Sequence, residues 1–118
     1  MKDISEAIQH LQHAIQLTPE EHADLPSRLN NLGNSFLHHF KCTGEMQDLL
    51  EAIQHQQHAV QLTPDGHANL PGQLINLGNS LLFQYRCNRD MQDLSEAIQH
   101  QQYAIQLSWT IHLASSTQ

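Results

Sequence analysis

Positive charge is scarce in this chain: five Lys and Arg stand against twelve Asp and Glu, for a formal net charge of −7. A phosphate backbone is bound through a basic footprint, so this balance argues against nucleic acid as a partner. Ten histidines make the balance depend on pH, because full protonation would carry the net charge from −7 to about +3.

Long apolar runs are missing too. No stretch is long enough to span a bilayer, and Met1-Lys2-Asp3 leads straight into periodic sequence with no apolar signal core. The expectation is a cytoplasmic chain with no membrane partner. Cysteine occurs only as Cys42 and Cys87, 45 positions apart. Equivalent atoms on neighbouring packed helical units lie about 10 Å apart. A disulfide tolerates a Cα separation of about 7 Å, so both residues are read as reduced thiols.

A convergent catalytic set is also absent. A nucleophile and its base must meet in one pocket, whereas every His, Cys and carboxylate of interest here recurs by translation along the chain. The chain is therefore read as non-enzymatic and without a cofactor.

What is present is repetition. The stretch Asp48 to Gln92 lies on Asp3 to Gln47 with 27 of 45 positions identical, and its first part returns as Asp93 to Leu107. Such a period marks an array of stacked units, here residues 3–47, 48–92 and a partial 93–114 within one domain, 1–114. Residues 115–118 are expected to be a disordered tail.

Within each unit the apolar spacing is helical. Ile4, Ala7, Ile8, Leu11, Ala14 and Ile15 form one stripe, and Thr18-Pro19 stops that helix because proline cannot continue it. Asp24 is the expected cap of the next helix, with Pro26 in its first turn. Leu25, Leu29, Leu32, Phe36 and Phe40 then make a second stripe running to about Cys42. Gly33 sits inside that stripe at a cost of about 1 kcal/mol relative to alanine, which implies a helix approaching closely there. The pattern recurs with Thr63-Pro64, the cap Asn69, Pro71 and Gly78, ending in a helix over Met91 to Leu107. Trp109, Ile111 and Leu113 follow as a segment able to fold back as an end cap.

Leu29-x-x-Leu32-Gly33-x-x-Phe36, followed by Ala52, Ala59 and Pro64, resembles the tetratricopeptide repeat. Leu74, Leu77, Gly78, Leu81, Ala97 and Ala104 repeat the match. Leu29 and Leu74 replace an aromatic, Gln56 and Gln101 replace phenylalanine, and the period is 45 rather than 34. The added length amounts to about one turn on each helix, which keeps the stripes facing the same way, and four residues in the connection. The chain is thus similar to elongated repeats of the kinesin-light-chain type and to fungal arrays of the LNNLGNSL type. The resemblance implies an all-α fold, a short right-handed α-solenoid of antiparallel helix pairs with about five helices. The function it implies is an interaction scaffold that binds a protein or peptide segment along the first helix of each pair.

In that family this helix lines a concave groove, which assigns partner binding to Asn31, Asn34, Asn76 and Asn79, with Arg28 and His38 beside them. An asparagine amide offers both donor and acceptor to a peptide group. The same four residues serve equally well to tie neighbouring helices together, and both readings stand. A structural alternative is self-association into a homodimer through Ile4, Ile8, Leu11, Trp109 and Ile111 at the two ends, or membership of a longer array. The i,i+3 pairs His10/His13 and His55/His58 are weak metal candidates, since zinc requires further ligands. His22, His67 and His112 fall one per unit in the connections and are read as turn-forming.

Overall fold

The computed structural model describes residues 2–116, with side chains described for residues 5–113. Among these residues there are five helices and no strand: α1 Lys2–Gln16, α2 Leu25–Thr43, α3 Met46–Leu62, α4 Leu70–Asn88 and α5 Met91–Ser116. The all-α class follows from periodic apolar stripes punctuated by Thr-Pro and by short polar turns. No described helix is long and apolar enough to cross a membrane.

The chain divides into two compact units, Met1–Leu62 and Thr63–Gln118. In the first, α2 packs against both α1 and α3. Its core includes Leu25, Leu29 and Ala59, with Ile15 of α1 and Leu62 of α3 packed against them. In the second, α4 packs against α5, and Leu70, Leu74, Leu77, Leu81, Ala97 and Ala104 are all buried. The compact units therefore pair each LGN helix with the helix that follows it, whereas the sequence period starting at Asp3 begins with the helix before it.

The turns between paired helices are made by left-handed residues. Gly44 has φ 76° and its N–H donates to the Phe40 carbonyl at 2.7 Å, a helix end that glycine accepts without a Cβ penalty. Arg89 takes the same place with φ 61°, donating to the Tyr85 carbonyl, and its guanidinium lies 5.7 Å from the Tyr85 ring centroid. That cation–π contact offsets part of the strain of a side chain in this region.

The last helix departs from expectation. The predicted end at Leu107 does not occur, because Trp109 stands where Pro19 and Pro64 stop their helices, and α5 runs on to Ser116. Trp109, Ile111 and Leu113 are thus part of the helix and do not fold back over it. His112 lies in this helix as well, not in a connection. Of the expected tail, Ser115 and Ser116 are helical, and residues 117–118 lie outside those described.

Candidate functional site

At the LGN segment the two helices of each pair approach closely. A Cβ added at Gly33 would lie 2.6 Å from Gln56 Cγ, and one at Gly78 would lie 2.7 Å from Gln101 Cγ. Glycine at these positions lets a glutamine of the following helix lie across the LGN turn. Each glutamine then reaches the next asparagine. Gln56 Nε2 donates to Asn34 Oδ1 at 3.0 Å, and Gln101 Nε2 donates to Asn79 Oδ1 at 3.1 Å.

The two copies differ in depth. Gln56 is fully buried, and its Oε1 has no hydrogen-bond partner among the described residues. Gln101 is only half-buried. Glycine, glutamine and asparagine thus form one linkage in each helix pair. The glutamine is visible in the sequence, but its partner is not. The signal that could have found it is the fixed offset of 22 positions from asparagine to glutamine in both units.

The other predicted partner residues are spread along the same helices. Asn31 and His38 are exposed on α2, Asn34 and Asn76 are half-buried, and Asn79 is exposed on α4. Arg28 is engaged locally: its Nη1 donates to Thr18 Oγ1, and its Nη2 lies 3.9 Å from Asp24 Oδ2. Gln73 fills this position in the second unit, accepting from Thr63 Oγ1 at 2.8 Å in a buried contact. Phe83 replaces His38 and is half-buried, with the Arg86 guanidinium 5.2 Å from its ring centroid.

The expected caps Asp24 and Asn69 are not side-chain caps. Both have helical backbone angles, φ −84° and −81°, and neither makes a side-chain cap bond. The histidines two residues earlier do the equivalent work. His22 Nδ1 accepts the Asp24 N–H and His67 Nδ1 accepts the Asn69 N–H, each at 3.0 Å. An imidazole nitrogen here plays the part that an Asx oxygen plays in a turn. The 3.9 Å approach of His22 Nδ1 to Asp24 Oδ2 is too long for a hydrogen bond, so the backbone bond is the contact that orients the ring. Replacing His67 with alanine is expected to cost about 1 kcal/mol, and replacing it with asparagine less, by analogy with capping oxygens. Thermal denaturation of the two variants checks this, and equal losses would remove the acceptor role.

A second histidine contact has no counterpart among the sequence expectations. His39 Nδ1 lies 2.6 Å from Asp48 Oδ2 across the α2–α3 turn, where Thr43 also donates to Asp48 at 3.4 Å. In the second unit Asn88 Nδ2 donates to Asp93 Oδ2 at 3.1 Å instead. The aspartate is the repeated element and its partner varies, which marks these contacts as turn closures.

Of the weak metal candidates, His10, His13 and His58 are exposed, while His55 stacks on Phe36 with centroids 5.6 Å apart and contacts Glu51 at 3.2 Å. Among the described residues no group of three or more His, Cys, Asp or Glu is placed to hold a metal ion. Cys42 and Cys87 are free and exposed.

The self-association residues separate into two groups. Ile8 is only 8% exposed and Leu11 is half-buried, so they do not form the open stripe expected of α1, because α2 packs on that helix. The Ile4 side chain lies outside those described. Trp109 is 62% exposed, and Ile111 is half-buried.

Fold and framework together define an all-α protein built on a repeated helix pair. No family model, curated protein or solved structure matches this chain.

Proposed function

We propose that this chain is a non-catalytic interaction scaffold of the tetratricopeptide-like kind, taking an extended protein segment along the exposed side of its LGN helix, α2 in the first unit and α4 in the second, each unit taken by itself. The observation that carries this reading is the repeated Asn–Gln linkage. Because Asn34 and Asn79 each accept through Oδ1, each amide is held with its Nδ2 donors turned away from the glutamine. A peptide carbonyl is a natural partner for such a donor, and an amide reads backbone without demanding one side chain. The two sequence readings of these asparagines are then complementary: the oxygen secures the helix pair and the nitrogen is presented.

Aspartate separates the two roles, since it keeps the acceptor for glutamine and removes the donor. In a screen of immobilised peptides, Asn34→Asp combined with Asn79→Asp is expected to lose the peptides that the unaltered chain retains, with the melting temperature little changed. Retention of every peptide by the folded variant would end the assignment.

A further inference from the structure

Helices α1 and α5 are copies of each other, with Ile8 and Ile15 corresponding to Ile98 and Ile105 at an offset of 90 positions. On α1 this stripe is covered: Ile8 is 8% exposed, and Ile15 packs with Leu25 and Leu29 of α2. On α5 it is open, with Ile98 45%, Ile105 59% and Trp109 62% exposed. At about 100° per residue, Ile98, Gln102, Ile105 and Trp109 fall on one strip, apart from the buried Ala97 and Ala104. An open cavity of about 300 Å³ lined by Ser108, Trp109 and His112 continues the strip. Large apolar side chains left exposed together on one strip are the kind of surface that interaction sites use.

We propose that this strip of α5 docks an amphipathic helix of the α2 kind, seated as α2 is seated on α1. The chain itself shows what covers such a face. The occupant carries leucines four apart at its start, in the places of Leu25 and Leu29. It also carries a polar residue in the place of Arg28, because the hydroxyls of Thr18 and Thr63 are bonded by Arg28 and Gln73 and Ser108 is their third copy.

Charge points the same way. Helix α5 holds Asp93 and Glu96 near its start and no Lys or Arg, while α2 ends with Lys41 in its last turn. Antiparallel seating sets that cation beside the acidic turn. A second α5 would bring no cation of its own, so a copy of this helix is the poorer fit. The strip does not include the asparagines of the proposed peptide face.

Trp109 is the only tryptophan in the chain and reports on this face directly. The full chain would be titrated with a synthetic peptide matching residues 20–45, carrying Cys42→Ser. A saturable blue shift of Trp109 emission is expected. The affinity should fall at least ~10-fold for a peptide carrying Leu25→Asp and Leu29→Asp, the equivalent of about 1.4 kcal/mol. Ile105→Lys in the protein should weaken binding of the first peptide similarly. Should that variant unfold, the peptide comparison alone decides the matter, since it leaves the protein unaltered. No saturable shift, or equal shifts with both peptides, overturns the proposal. A shift that follows protein concentration without peptide also overturns it and gives the face to a second copy.

Discussion

Gly33→Ala is expected to destabilise the first unit by about 1–3 kcal/mol, and Gly78→Ala, at the identical repeat position, to cost far less. At Gly33 the added Cβ would lie 2.6 Å from Gln56 Cγ, 3.0 Å from the Ala52 carbonyl oxygen and 3.3 Å from the Gln56 backbone nitrogen. Two of these atoms belong to the α3 backbone, and the Gln56 side chain is fully buried, so relief requires the helices to separate. At Gly78 the three nearest atoms, at 2.7, 3.0 and 3.1 Å, all belong to the Gln101 side chain. That side chain is half-buried and can swing toward solvent, giving up its bond to Asn79. Alanine also returns about 1 kcal/mol of helix propensity at either site, enough to offset most of the smaller cost and not the larger. Denaturant titration of the two variants measures the difference. Matching midpoints would show that the backbone contact at Gly33 does not limit the approach of α3.

The second large effect is expected at the alanines. Ala52 is fully buried in α3, so Ala52→Leu should overpack the α2–α3 contact by about 1–3 kcal/mol. Ala59→Leu should do the same in the cluster with Leu25 and Leu29. Ala7 is the copy of Ala52 in α1 and is exposed. Ala7→Leu should therefore stay within about 0.5 kcal/mol of the parent. Calorimetric melting checks the pair, with about 4–8 °C expected per kcal/mol in a unit of this size. An unchanged melting temperature for Ala52→Leu would mean that α3 packs on α2 through another face.

Most of the helical framework is legible in the residues themselves. The stripe from Leu25 to about Cys42 places α2 to within a residue at each end, and the Thr-Pro pairs place the stops after α1 and α3, since both signals act over a few residues. The signal for the overrun of α5 is present too, because a helix continues where nothing breaks it, and Trp109 is not a breaker. The capping expectation fails for a different reason. Asp24 and Asn69 are good cap residue types, but the preceding turn holds their backbones helical, and His22 and His67 deliver the acceptor from two positions earlier. Residue preference identifies the place, and local geometry chooses the atom.

The candidate site is less legible. The asparagines stand out by repetition, yet nothing in their own segment reveals that Gln56 and Gln101 hold them, since those residues lie 22 positions away on another helix. His39 and Asp48 are closer in sequence but become partners only when the α2–α3 turn closes.

The sequence by itself determined the helices, their order and the period that copies them, because helix formation and termination depend on neighbours a few positions apart. Tertiary structure alone decided how residues that are identical by repeat come to differ: Ile8 covered and Ile98 open, Gln56 sealed and Gln101 half-exposed, Ala52 buried and Ala7 free. Burial depends on which helix lies alongside, and a translated copy carries its stripe with it but not its surroundings.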